Sequence, residues 1–133
     1  MDQETFSGVW SCRYWYPSND HNGEDISEYD VMAHQVGHRL TMTSLPTKDG
    51  SYITLRLSIE GNLATGAWQE CTAPDGSFGG MIYSGAMQLI IDDSKKRMDG
   101  KWVGIGREKI GENEYEPRIY TGKWELVFKE TQA

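Results

Sequence analysis

The sequence predicts an all-β fold, an eight-stranded antiparallel up-and-down β-barrel, and three observations carry that reading. Gly-x-Trp occurs four times, as Gly8-Val9-Trp10, Gly66-Ala67-Trp68, Gly100-Lys101-Trp102 and Gly122-Lys123-Trp124. Residues i and i+2 of a strand share a face, so each motif sets a bare backbone position beside the largest side chain. Secondly, β-branched and aromatic runs alternate with turn formers, and 15 Gly stand against 4 Pro, a balance that leans toward strands. Thirdly, no run sustains apolar residues at i, i+3 and i+4, so no helix is predicted. Eight strands on short connections are the number that closes into a narrow barrel.

The first strand is the aromatic run Gly8 to Tyr16, with Trp10, Cys12, Tyr14 and Tyr16 on one face and Val9, Ser11, Arg13 and Trp15 on the other. Pro17 ends it, and Pro17 to Ser27, rich in acids and turn formers, is expected to be a long surface loop. The second strand is predicted over Glu28 to Gln35, where Tyr29, Val31 and Ala33 alternate against Glu28, Asp30 and His34. Val36-Gly37 turns into a third strand, Arg39 to Ser44. Lys48-Asp49-Gly50 is a hairpin signal. It opens the cleanest alternation in the chain, Ile53, Leu55, Leu57 and Ile59 against Tyr52, Thr54, Arg56 and Ser58. Gly61-Asn62 leads into Leu63 to Thr72, and Pro74-Asp75-Gly76 turns again. The sixth strand, Met81 to Ile91, carries Met81, Tyr83, Gly85, Met87, Leu89 and Ile91 on one face. Asp92 to Arg97 is an exposed turn, Met98 to Arg107 the seventh strand and Glu108 to Pro117 a charged loop. In the eighth strand, Arg118 to Lys129, Tyr120, Gly122, Trp124, Leu126 and Phe128 face in.

At 133 residues the chain suits one domain over 1–133, with an ordered core over about 6–130, large enough to bury a core without staples. Hydrophobic content of 38% is modest, but 5 Trp, 7 Tyr and 3 Phe concentrate it in large rings, each able to bury roughly 150–250 Å². A net charge of −7 argues against binding a nucleic-acid polymer, which asks for a basic stripe. Cys12 and Cys71, without a Cys-x-x-Cys, read as buried thiols in a reducing compartment. No membrane-spanning stretch and no signal peptide is visible, so a soluble, cytoplasmic protein is expected.

With the last strand setting the phase, the seventh contributes Gly100, Trp102, Gly104 and Gly106 to the interior, the sixth Tyr83, Gly85 and Met87, the fifth Gly66, Trp68 and Glu70. Inward glycines are costly unless something needs the space. They either relieve crowding and permit bending, or leave a hollow lined by Trp, Tyr and Met, the expected look of a small-molecule site. The expected ligand-binding set is Tyr14, Tyr16, Trp68, Glu70, Tyr83, Met87, Trp102, Gly104, Gly106, Arg107 and Tyr120. Arg107, at a strand end after Gly106, is expected at the barrel mouth, with Arg13 as a second cation. Glu70 is expected as a buried acceptor for a Tyr or Trp donor, unless the register slips there.

Catalytic and metal signals are weak. His21, His34 and His38 lack ligand spacing, and Asp20, Glu24 and Asp25 read as solvated loop charge. There is no Gly-x-Ser-x-Gly, and nothing sets a Ser or Cys beside a His. Gly104-Ile105-Gly106 sits within a strand and opens no helix, so it is no dinucleotide fingerprint. Neither a metal nor a cofactor is expected. Glu70 is the one candidate acid–base group.

On Gly8-Val9-Trp10 and Thr121-Gly122-Lys123-Trp124 the chain resembles calycin-type barrels, the group of lipocalins, fatty-acid-binding proteins and avidins. That resemblance implies a structural barrel plug at Trp10, with Trp124 assigned likewise, and a ligand toward Tyr14, Tyr16 and Arg107. Tyr14-Trp15-Tyr16-Pro17-Ser18-Asn19 is similar to barrel domains C-terminal to helix-turn-helix segments in some bacterial regulators. The rhythm from Tyr83 to Leu126, with Met98-Asp99-Gly100-Lys101-Trp102, is similar to barrel effectors of bacterial anti-phage signalling, which bind cyclic dinucleotides. Those resemblances imply a sensor module and a fused or associated DNA-binding or effector domain as partner.

The expected function is non-enzymatic sensing of a small aromatic or nucleotide-like ligand, with occupancy coupled to a fused domain or partner. The competing readings are an intracellular carrier of a hydrophobic ligand and a barrel enzyme using Glu70.

Overall fold

Eight antiparallel strands close in chain order, each hydrogen-bonded to the next and the last back to the first. The computed structural model describes residues 5–17, 23–76 and 80–131. The strands are β1 (Gly8–Pro17), β2 (Glu24–Val36), β3 (Arg39–Ser44), β4 (Tyr52–Glu60), β5 (Leu63–Cys71), β6 (Ile82–Ile91), β7 (Arg97–Lys109) and β8 (Tyr115–Glu130). This up-and-down barrel is compatible with a calycin-like architecture. Among the described residues no helix is long and apolar enough to cross a membrane.

Period-two patterning places the core. Ile53, Leu55 and Leu57 of β4 are buried while Tyr52, Arg56 and Ser58 are exposed. The same parity turns Trp10, Cys12 and Tyr14 inward on β1, and Trp124 and Leu126 inward on β8. The end at which β1 begins is sealed by a ring cluster. Trp10 meets Phe128 edge-on at 5.5 Å and donates its indole N–H to the Phe6 carbonyl at 2.8 Å. Gln35 ties this end together, accepting from the Phe6 N–H and donating to the Gly37 carbonyl. Trp10 and Trp124 are wholly buried, worth roughly 4–6 kcal/mol of apolar transfer each before entropy is counted.

The inward glycines do not leave a hollow. A Cβ at Gly66 would lie 1.9 Å from the Arg56 carbonyl oxygen, at Gly100 1.9 Å from that of Gln88, at Gly85 2.0 Å from that of Val103 and at Gly122 2.0 Å from that of Trp15. No side chain fits there, because the main chain of the neighbouring strand already occupies the space. These positions pull adjacent strands together and let the wall bend. The gaps expected between the rings are filled by backbone and by the indoles themselves.

Two expected loops are partly strand. β2 starts at Glu24, with Asp25 opposite Tyr16 and Ile26 opposite Trp15; its acidic outer face hides a strand inside a loop-like composition. Residues 18–22 of that expected loop, with Asp20 and His21, lie outside the described residues. Likewise β7 runs to Lys109 and β8 begins at Tyr115, so half of the expected loop Glu108 to Pro117 is a paired ribbon. The Arg118–Glu108 ion pair, at 3.1 Å, eases the placement of Glu108 opposite Glu116.

That ribbon stands clear of the wall. The β6–β7 ladder stops at Gly85 opposite Gly104, and the β1–β8 ladder at Tyr14 opposite Trp124. Ile105 and Ile119 face each other across it, 71% and 68% exposed. The Ile110 N–H donates to the Glu114 carbonyl at 3.0 Å. Alternation down an antiparallel ladder then turns the backbone of Arg107 and Pro117 away from each other, toward the two open edges. A third split lies beside β2, whose pairing with β3 begins only at Val31 opposite Ser44.

These contacts predict an order of stability losses. Gly100→Ala, which drives Cβ into a carbonyl, is expected to cost about 1–3 kcal/mol or more. Gly104→Ala meets only the Trp68 and Trp102 rings and a carbonyl, at 3.2–3.5 Å, and should cost less. Urea midpoints measure both; equal losses would mean that the glycines serve ring room rather than strand approach.

Candidate functional site

At the end opposite the Trp10 plug, strand parity gathers Tyr14 and Tyr16 of β1, Tyr29 of β2, Glu70 of β5, Tyr83 of β6 and Tyr120 of β8. Glu70 is their centre. The Tyr14 hydroxyl donates to its Oε1, and the Tyr29 hydroxyl donates to its Oε2 at 2.6 Å. The phenol oxygens in turn face the Ser27 and Ser51 hydroxyls. Among the described residues no Lys or Arg side chain forms an ion pair with Glu70.

Three indoles form the floor. Tyr14 stacks on Trp124 at 4.5 Å and 16°, Trp124 lies 6.0 Å from Trp68, and Trp68 meets Trp102 edge-on at 5.4 Å. Trp102 lies over Gly122 and passes its N–H to the Trp15 carbonyl at 2.8 Å. That carbonyl sits one residue past the last β1–β8 rung, so an indole replaces the missing main-chain donor. Trp68 repeats the arrangement over Gly85, near the Val103 carbonyl, but its buried N–H makes no hydrogen bond. The Trp124 N–H also has no bonded partner and faces the Cys12 thiol. Burial pushes that thiol up to about 12, against the pull of the Trp124 N–H, so Cys12 stays a protonated, unreactive thiol at neutral pH.

Of the expected site residues, Tyr14, Tyr16, Trp68, Glu70, Tyr83, Trp102 and Tyr120 share this end of the barrel. Gly104 lies against the Trp68 and Trp102 rings and Gly106 under the Tyr120 ring, 2.7 Å from where a Cβ would stand. Met87 is buried deeper, opposite Gly66 and Trp102. Arg107 is not brought to the mouth interior. It follows inward Gly106, so it points outward, where its guanidinium covers Tyr115 at 4.3 Å. Arg13 is also on the outer wall, paired with Glu28 and Glu125. Trp124 is no end plug: its partner Tyr14 lies at the mouth, whereas Trp10 sits beside Phe128 at the sealed end. Among the described residues no group of three or more His, Cys, Asp or Glu is placed to hold a metal ion.

Tyr29 is the residue that sequence reasoning left out of the site. Its inward parity was readable, but its meeting with Glu70, 41 positions along, was not. Its ring also lines a concavity of about 400 Å³, walled by Ile26, Ser27, Lys48, Asp49 and Ser51. This opening lies at the split between β2 and the β3–β4 connection, and Tyr29, whose hydroxyl reaches Glu70, is part of its wall. Asp49 shapes its rim by accepting from the Ser51 N–H, the Ser51 hydroxyl and the Thr47 hydroxyl, which holds its carboxyl below the usual range.

Burial, then the charge of Glu70 and the hydrogen bond to it, push the Tyr14 phenol far above its ordinary 10.0. Burial and the Glu70 hydrogen bond raise Tyr29 as well. Both phenols therefore hold protons more tightly folded than unfolded. Their contribution is complete below the unfolded value and is lost as pH rises above it, where the unfolded chain releases protons the folded chain keeps. Tyr14→Phe is expected to be less stable at neutral pH yet to lose less stability between about pH 9.5 and 11. Urea midpoints across that range measure it, and parallel declines would remove Tyr14 from the linkage. No protein-family model, curated protein or solved structure matches this chain, so its site is read from its own geometry.

Proposed function

We propose that the chain is a non-enzymatic binding module that takes a small ring-bearing ligand at the tyrosine-lined mouth. One observation carries this reading: a half-buried carboxylate, Glu70, is oriented by two phenols among further aromatic rings and above three packed indoles. Planar ligands stack on such rings whatever their sequence of substituents. The lumen below is filled by Trp68, Trp102, Trp124, Met87 and Leu55, all buried. The ligand therefore sits at the rim, entering beside Tyr29. A nucleobase fits this description, in keeping with the resemblance to cyclic-dinucleotide-binding barrels.

The carrier reading asks for a hollow apolar lumen, and the filled interior disfavours it. Acid–base catalysis by Glu70 asks for a proton-transfer partner beside it, whereas the groups bonded to it are two phenols whose protons are held above their ordinary range. Occupancy is relayed to a fused domain or partner through the β7–β8 ribbon, whose exposed Ile105 and Ile119 offer an apolar contact next to Gly106 and Tyr120. The free thiols of Cys12 and Cys71 suit a reducing, cytoplasmic setting.

The test begins with mass spectrometry of whatever small molecule leaves the purified protein on denaturation. Indole fluorescence is then titrated with nucleobases, nucleosides and cyclic dinucleotides. A saturable response is expected, weakened about 5- to 100-fold in Tyr83→Ala, the loss of one stacking face. Silence across the panel, with no co-purified ligand, would sink the proposal.

A further inference from the structure

We infer that the mouth selects a planar ligand edge carrying two adjacent N–H donors, presented to the Glu70 carboxylate. This inference rests on the mouth being a ligand site and follows from counting donors and acceptors there. The Tyr14 and Tyr29 hydroxyl protons are both spent on Glu70, one on each oxygen. An ionised carboxylate accepts at about four positions and donates none. Each oxygen of Glu70 thus keeps acceptor capacity, and neither phenol has a proton left to give. Raised phenol pKa values keep both hydroxyls in that donating role at neutral pH. The Glu70 cluster therefore offers acceptors and no donor, and a ligand edge that brings only acceptors to it meets repulsion; the guanidinium of Arg118 at this end lies over the Tyr120 ring and pairs with Glu108.

The geometry of Glu70 narrows this further. Two phenols from different strands, β1 and β2, fix the plane of the carboxylate from β5. A fixed carboxylate with capacity on both oxygens is matched by two parallel N–H groups, the fork of an amidinium or guanidinium or the N1–H and 2-amino pair of guanine. Its charge is matched too: among the described residues no basic side chain pairs with it. The more exposed rings at this end, Tyr16 and Tyr83, supply faces that favour a cationic or electron-poor plane. Phosphate groups, if the ligand has them, belong outside, toward Lys48 on the rim of the 400 Å³ concavity.

Two matched ligand series test this on the unmodified protein by titration calorimetry. Guanosine and inosine differ by one donor of the pair. Benzamidine and benzoate share a ring and exchange a donor fork for an acceptor fork. Guanosine is expected to bind about 10-fold or more tighter than inosine, and benzamidine to bind where benzoate does not. Glu70→Gln, checked for folding by near-ultraviolet circular dichroism, should erase both preferences. If that variant fails to fold, the ligand ratios in the native chain still decide. Guanosine and inosine binding alike, or benzoate matching benzamidine, overturns the donor-pair inference and leaves the mouth as a binding site. Binding of none of the four, together with silence of the wider ring panel, removes the mouth and the inference together.

Discussion

Barrel closure here depends on main chain meeting main chain at inward positions that have no Cβ. Gly66, Gly85, Gly100 and Gly122 lie on four consecutive strands, each with a neighbouring carbonyl about where its side chain would be. That closeness bends the wall tightly enough for the indoles of Trp68 and Trp102 to lie across the glycine of the next strand. Packing at native density then fills the lumen with protein. The consequence for function is positional, since a lumen without room moves any ligand to the rim.

The rim is built by a different interaction. Burying part of a carboxylate without a cation is costly unless hydrogen bonds replace water. Glu70 meets that requirement with two phenols rather than with an Arg or Lys. An ion pair would have brought a positive charge against the carboxylate; two phenols orient the group without adding one. The same choice stiffens the mouth, because Tyr14 is also stacked on Trp124. Orientation and residual charge thus come from one small network on β1, β2 and β5.

Much of this was legible in the chain, and the misses share a cause. Alternation in Ile53–Ile59 and Tyr120–Phe128 gave both strand identity and inward face, and placed Glu70 inside by parity. What parity cannot give is height along the barrel axis, which depends on how strands are staggered. Trp124 therefore looked like a plug although it sits level with Tyr14. Arg107 was drawn to the mouth by its place at a strand end, against its own parity after Gly106. Glu24–Ser27 and Glu108–Pro117 looked like loops because outward faces made of Glu, Arg and Pro resemble solvated turns. The concavity beside Tyr29 depends on where the β2–β3 ladder begins, and no local pattern announces that.

The ribbon of β7 and β8 leaves this barrel with two unsealed seams. A barrel normally hides every strand edge, and an edge left bare is a template on which another chain can polymerise. Both seams are guarded in the sequence. Pro117 removes the N–H that would face an incoming strand on one side, and Arg107 and Lys109 load the other with like charge, so a copy laid antiparallel about Arg107 would oppose cation to cation. A missing donor on one seam and like charge on the other are what an incoming copy would meet beside the exposed Ile105–Ile119 pair.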